Sequence, residues 1–332
     1  MKKHLIAAAV AAAVAAAVAV PAMAQNVSVY GTLELGLEKN KTTGAVSTSS
    51  VESHEYVSNR LGFRGEEDLG GGLKAHFRLE SGIDTTNGTS GITSFFSRGA
   101  EIGLSGAFGR ISVGKLDHKG IEDNEISLHG NIGLASATVE AASRASDLND
   151  TISYTTPAFG GVTLNVMVTP KDNAAGVATT VAADTATTHD GVSSMQLAGT
   201  IGGVGIKLGT GTLKEDNGTK LRVTGLSAQY DFGAVNTSVL YQRQDNPVGT
   251  ADRRYTAVTV AIPLGAGLTA MLTYATLDVD ATSAGDLKNV IASIKKDLSK
   301  RTAVYGMYRT SNPGDVALVT ANTLGAYLST SF

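Results

Sequence analysis

The sequence predicts an all-β protein, a transmembrane barrel of sixteen antiparallel strands with short turns at one end and long loops at the other. Three observations predict it. Apolar and polar residues alternate in segment after segment, the connections alternate between short and long, and an export signal precedes them all. A period of two with one apolar side marks a strand that meets hydrocarbon on one face and water on the other. The end of the chain carries the pattern cleanly. From Leu324 the even positions hold Leu324, Ala326, Leu328, Thr330 and Phe332, and the odd ones Gly325, Tyr327, Ser329 and Ser331.

At the other end, Lys2 and Lys3 form a basic n-region and Leu5 to Val20 an Ala/Val-rich apolar run. Ala22-Met23-Ala24 supplies a small-x-small cleavage site before Gln25. Sixteen apolar residues, mostly alanine, fall short of a helical span of about 20. Residues 1–24 therefore read as a cleaved signal peptide and 25–332 as the barrel domain.

Composition narrows the class further. Removing Lys2 and Lys3 leaves 25 basic against 30 acidic residues, a net charge of −5, so there is no polybasic footprint for nucleic acid. With no cysteine there is no disulfide framework, thiolate chemistry or Cys-ligated metal. No apolar run after residue 24 reaches span length, which excludes a helical membrane protein but not a barrel, whose strands dilute apolar residues one in two.

The strands follow in order. Val27, Val29, Leu33, Leu35 and Leu37 alternate with Ser28, Tyr30, Thr32, Glu34 and Glu38. Val57, Leu61 and Phe63 alternate with Ser58, Arg60, Gly62 and Arg64, and Leu73, Ala75, Phe77 and Leu79 with Lys74, His76, Arg78 and Glu80. A face carrying four polar or charged residues in a row cannot pack into a dry core and must meet water inside a wide barrel. The same alternation recurs at 99–105, 110–116, 150–156, 161–169, 193–201, 204–212, 220–231, 234–243, 253–262, 267–277, 288–298, 301–309 and 321–332.

Seven short turns, among them Glu67–Gly72, Gly106–Gly109 and Gly202–Gly203, separate eight longer polar stretches near 39–55, 82–96, 117–149, 170–192, 213–219, 244–252, 278–287 and 310–319. That is what sixteen up-and-down strands require when both termini lie on the short-turn side. Outer-membrane barrels place short turns in the periplasm and long loops outside.

Several segments resemble the trimeric general porins of betaproteobacteria, the Neisseria, Bordetella and Comamonas types. They are Val29-Tyr30-Gly31-Thr32-Leu33-Glu34, Ser58-Asn59-Arg60-Leu61-Gly62-Phe63-Arg64-Gly65-Glu66-Glu67-Asp68-Leu69-Gly70-Gly71-Gly72-Leu73-Lys74-Ala75, and Ile102-Gly103-Leu104-Ser105-Gly106-Ala107-Phe108-Gly109. Further on come Ile152 to Gly161, Leu298 to Gly306 and the terminal Phe332. The resemblance implies a homotrimer and a third loop, about 117–149, folded into the lumen as a constriction. It also implies that Phe332 is an assembly signal. Two departures stand out. The third loop lacks a Pro-Glu-Phe-Gly run, and Thr330 replaces the His often found two residues before the terminal Phe.

Fixed charges at the narrowest point of a water-filled channel bias which ions enter. Lumen parity gives Arg60, Arg64, Lys74, Arg78 and Arg110 against Glu66, Glu80 and Glu101. The resemblance carries the constriction arginines onto Arg60, Arg98 and Arg144, with Glu80 opposing them. Arg98 shares the parity of outward Ala100 and Ile102, so it reaches the pore only through a bulge or a curled rim. Glu122, Asp123 and Glu125 in the third loop are candidates to line the eyelet opposite the arginines. Which side dominates sets the anion or cation preference, and the sequence leaves that open.

Other signals point nowhere else. Gly70-Gly71-Gly72-Leu73-Lys74 lacks the Gly-Lys-Ser/Thr end of a phosphate loop and reads as a turn. The histidines show no metal-ligand spacing, nothing fixes a catalytic triad beside His118, and no catalytic, cofactor or metal site is expected. The expected function is an outer-membrane general diffusion channel for ions and small hydrophilic solutes, not an enzyme. Its expected partners are two further copies, outer-membrane lipid and lipopolysaccharide. The alternatives are a solute-specific channel on the same barrel and a plugged barrel acting as an adhesin. Subunit contact is expected on the outward faces beside the termini, at Val27, Leu328 and Phe332.

Overall fold

Strand pairing closes the chain on itself. The computed structural model describes residues 26–53, 56–89, 95–117, 119–121, 126, 128–130, 148–170, 189–215, 220–245, 251–280, 286–313 and 320–332. Residues 1–24, read from the sequence as a signal peptide, therefore lie outside the described residues.

Its strands are β1 (Asn26–Thr42), β2 (Thr48–Glu52), β3 (Arg60–Gly70), β4 (Leu73–Gly82), β5 (Gly99–Gly106), β6 (Gly109–Leu116), β7 (Leu148–Thr155), β8 (Val162–Thr169) and β9 (His189–Ile201). They continue as β10 (Val204–Glu215), β11 (Lys220–Asp231), β12 (Asn236–Asp245), β13 (Arg253–Gly265), β14 (Leu268–Val279), β15 (Leu287–Asp297), β16 (Thr302–Pro313) and β17 (Ala321–Ser331). From β3 to β17 every strand pairs antiparallel with the next. β1 closes the ring, with Asn26–Thr32 on β3 and Thr32–Thr42 on β17. Closure leaves no edge in the hydrocarbon, where each unpaired backbone group costs several kcal/mol. Phe332 extends the seam, exchanging backbone hydrogen bonds with Gly31 at 3.2 and 3.1 Å.

Sixteen of these strands form the barrel wall; the seventeenth, β2, is a short addition inside the stretch expected to be loop. It pairs with Gly36–Asn40 of β1 above the point where β3 leaves off. Between β2 and β3 the chain turns into the lumen, so Val57 and Ser58, expected in a strand, lie in that inward turn. The reason is a contact from another strand. The Glu34 carboxylate accepts the backbone N–H groups of Tyr56 at 2.7 Å and Val57 at 3.1 Å, and the Asn59 amide bonds the Glu34 backbone in return at 2.5 and 2.9 Å.

Side chains sort by parity as lipid and water demand. Leu35, Leu37, Ile102, Leu104, Val239, Leu272, Leu324 and Leu328 point out, while Ser112, Asn165, Gln196, Ser238, Thr273 and Ser329 point in and are buried. At the β3–β4 turn Gly70, Gly71 and Gly72 all adopt left-handed φ of 86°, 61° and 80°, a run of conformations that only glycine takes without strain. That Gly-rich stretch is a turn.

The lumen is not polar all round. Met271, Ile291, Ala303, Tyr305, Met307 and Tyr327 face inward on β14–β17 and form one apolar cluster with Tyr56 of the first loop. Tyr56 stacks on Tyr305 with ring centroids 3.8 Å apart. A second cluster joins Ile121 of the third loop to Val192, Leu213, Leu221 and Val223 on β9–β11.

Candidate pore-lining site

The opposite wall, β3–β6, carries the charges. Register places them in horizontal rows because antiparallel partners lie directly across from one another. One row runs Tyr30, Gly62, Glu80, Gly99. The next runs Ser28, Arg64, Arg78, Glu101, Gly114, and the one below it Asn26, Glu66, His76, Gly103, Ser112. Glycine is placed where a bulky neighbour leans over. A Cβ on Gly62 would sit 2.4 Å from the Tyr30 ring, and one on Gly99 2.8 Å from the Arg78 guanidinium.

Those gaps bring the polar ends together around Glu80. Tyr30 Oη donates to one carboxylate oxygen at 2.8 Å, Arg98 Nε donates to the other at 2.9 Å, and Arg78 stands 3.7 Å away. Arg78 also reaches Glu101 at 3.6 Å and Asp117 at 3.9 Å, and Arg110 meets Glu101 at 3.2 Å. The outcome is a ladder of alternating charge. Arg64 lies over the Tyr30 ring, 4.9 Å from its centroid, and bonds Ser28 at 3.3 Å.

Burial within the ladder is uneven. The Glu80 and Glu101 side chains are 6% and 11% exposed, against 24% for Arg78, 28% for Arg98 and 44% for Arg110. Water in the pore meets guanidinium first, with carboxylate behind it. Below the ladder a recess of about 440 Å³ is lined by Ser28, Arg64, Glu66, His76, Arg78, Glu101 and Arg110.

Of the residues singled out in the sequence, Arg60, Arg64, Arg78, Glu80 and Arg98 share this wall. Arg60 stands at lumen parity one row above Glu80 and makes no ion pair among the described residues. Arg98 precedes β5, and the backbone turn there, held by its N–H to the Glu80 carbonyl at 3.0 Å, swings its side chain inward. Parity governs only residues inside a strand, which is why alternation pointed it outward. Glu122, Asp123, Glu125 and Arg144 lie outside the described residues. Asp117, which the sequence did not single out as a pore group, joins the ladder through Arg78.

The third loop is anchored on the walls away from this ladder. Lys119 donates its backbone N–H to Met167 Sδ at 3.2 Å and accepts from Ser194 Oγ at 2.5 Å. Farther on, His129 is fully buried. It bonds Thr273 at 2.8 Å through Nδ1 and Ser293 through Nε2, and packs edge-on against Tyr56. Burial pulls its pKa down to about 4, so the ring is neutral there.

A closed strand wall with lipid-facing apolar residues, a water-facing charge ladder and loops turned inward defines the class of outer-membrane diffusion channels. The particular family follows from comparison. The model of the Gram-negative porin family matches residues 9–315, and the chain belongs to that family. It is 30% identical over 355 residues to the major outer membrane protein P.IB of Neisseria lactamica, covering 98% of each chain. It is 29% identical to the outer membrane porin protein 32 of Delftia acidovorans, covering 98% of this chain and 94% of that one. Among solved structures, the anion-selective porin from Comamonas acidovorans superposes with a TM-score of 0.72 at 20% identity, over 93% of this chain and all of that one. The protein is an outer-membrane porin.

Proposed function

We propose that the channel is a general diffusion pore that favours anions, with Arg60, Arg64, Arg78, Arg98 and Arg110 as the groups that passing ions meet and Glu80 and Glu101 holding them in place. One observation carries this: the carboxylates of the ladder are buried beneath the guanidiniums, so the field in the pore water is that of the cations. Narrowing is assigned to the third loop, 117–149, with Arg144, Glu122, Asp123 and Glu125 as further candidates in it. A reversal potential measured across a planar bilayer with a KCl gradient tests the proposal. A value on the chloride side supports it, and a value on the potassium side puts acids of the third loop in control.

Assembly as a homotrimer in lipid and lipopolysaccharide belongs to the same proposal. The outward faces of Val27, Leu328 and Phe332, each about half exposed in a single chain, are apolar surface for subunit contact. Phe332 is proposed as the assembly signal, and deleting it should lower surface levels; unchanged levels of the truncated protein would refute this.

The recess beside His76 favours a second reading, a solute-selective channel, because three guanidiniums converge there and His76 Nδ1 is buried with no hydrogen-bond partner. Conductance that saturates with one small carboxylate would select it, and linear conductance the general pore.

A further inference from the structure

The recess below the ladder holds charge of both signs, and some of each sign is left without a protein partner. Arg64 lies directly opposite Arg78, and Glu66 directly opposite His76 in the next row. Like charges facing each other across strands repel, and the two guanidiniums respond differently. Arg78 turns to Glu80, Glu101 and Asp117. Arg64 is exposed, bonds Ser28, lies over the Tyr30 ring and meets no carboxylate among the described residues.

The carboxylates divide in the same way. Glu80, one row above, has both oxygens taken, Oε2 by Tyr30 and Oε1 by Arg98. In the recess Lys74 reaches Glu66 Oε1 at 2.5 Å, and Arg78 and Arg110 both reach Glu101 Oε1. Oε2 of Glu66 and Oε2 of Glu101 make no hydrogen bond or ion pair among the described residues. His76 supplies a third open atom. It is 5% exposed, its Nε2 pairs with Ser112 Oγ at 3.0 Å, and its Nδ1 is buried without a partner. A buried polar atom of this kind calls for a partner that the protein does not itself supply.

We propose that the recess is a binding subsite for a zwitterionic α-amino acid, its carboxylate on Arg64 and its ammonium on Glu66 and Glu101. This names the ligand of the solute-selective reading and rests on that reading. A simple anion satisfies Arg64 but lies beside two carboxylates, and a simple cation satisfies those carboxylates but meets three guanidiniums. A molecule with both charges on one carbon meets each sign with its opposite. It also suits either tautomer of His76, because ammonium donates to a bare Nδ1 and carboxylate accepts from a protonated one. Arg64 and Glu66 stand two residues apart on β3, about 7 Å, a span that a small zwitterion bridges with one hydrogen bond at each end. The volume of about 440 Å³ leaves room for a small side chain.

Planar-bilayer current through the folded protein, titrated at fixed ionic strength with glycine, glycolate and ethanolamine in turn, tests it. The three are alike in size, but glycolate lacks the ammonium and ethanolamine lacks the carboxylate. Glycine should reduce the current saturably, half-maximally at a concentration roughly tenfold below that of either analogue, as the loss of one charge-assisted hydrogen bond predicts. Glycolate as effective as glycine would overturn the zwitterion while leaving a solute-selective channel for carboxylates. Ethanolamine as effective as glycine would overturn the role of Arg64. A current with no saturable response to any of the three would overturn both the inference and the reading beneath it. In Glu66→Gln the preference for glycine over glycolate should fall severalfold, and an unchanged preference would overturn the placement of the ammonium. If that variant failed to assemble, the three titrations of the natural chain would decide the matter by themselves.

Discussion

The two halves of the lumen wall are built on opposite principles. β3–β6 present a ladder of ion pairs to water, while β14–β17 present Met271, Ile291, Tyr305, Met307 and Tyr327 and hide them under Tyr56 and His129. An inward apolar wall in a water-filled barrel is stable only if something covers it. The difference teaches where the passage must run. Tyr56 of the first loop and His129 of the third are held on the apolar half by burial, and the ladder on the charged half is left facing water. On the proposed reading, in which the third loop narrows the channel, the narrowing is positioned from behind, by the hydrophobic effect on the wall opposite the ladder.

The largest expected effect breaks that cover. Tyr56→Ala removes a ring that is 7% exposed and stacked on Tyr305, and should cost about 3–5 kcal/mol. Single-channel conductance should rise and lose its uniform step size as the loops detach, while conductance like that of the natural chain would mean the cover does not depend on this contact.

Acid attacks the same cover more gently. His129 is held neutral, its pKa lowered from 6.5 to about 4 by burial. Released into water, it regains its ordinary value, so between these limits the released loop binds more protons than the docked one. Docking is at full strength above about pH 6.5, weakens as pH falls and loses on the order of 3 kcal/mol by about pH 4. Conductance noise recorded from pH 7.5 to pH 4 should grow through that window in the natural chain and stay flat in His129→Gln. Equal pH dependence of the two proteins would place the proton elsewhere.

The charged half responds differently. Glu80→Gln takes the 2.9 Å carboxylate from Arg98 and one of three carboxylates from Arg78, at a cost of about 2 kcal/mol, at the low end because pore water can rehydrate both guanidiniums. Here stability falls little while the reversal potential moves further toward chloride. A large loss of thermal stability with no shift in potential would make Glu80 a structural anchor alone.

How much of this could be read from the sequence follows the same division. On β3–β6 the charges alternate with Leu, Phe and Ile, so strand, face and lumen-lining residues were all legible from parity. On β13 and β14 the alternation blurs, as in Ala257-Val258-Thr259-Val260-Ala261, because a covered lumen wall tolerates apolar residues on both faces. Val57 and Ser58 alternate like a strand yet lie in the first-loop turn, since its cause, the Glu34 carboxylate on a different strand, is a long-range contact that no local pattern encodes. Arg98 escaped parity for the opposite reason, sitting one residue before its strand begins.

Arg60 offers the smallest structural perturbation and the sharpest test of the comparison. It stands at lumen parity above Glu80 with no ion pair among the described residues, so Arg60→Glu breaks no salt bridge and should leave thermal stability within about 0.5 kcal/mol. Its effect should be electrical. Replacing a cation by a carboxylate changes the local charge by two units in the half of the lumen left for passage, and permeability should shift toward potassium. A carboxylate placed on the other half, Thr323→Glu on β17, adds one negative charge at a buried wall position and should leave the reversal potential nearly unmoved, well under half the Arg60→Glu shift. If the two substitutions shifted the potential equally, ions would sample both walls alike, and the apolar half would not be the side from which the passage is excluded.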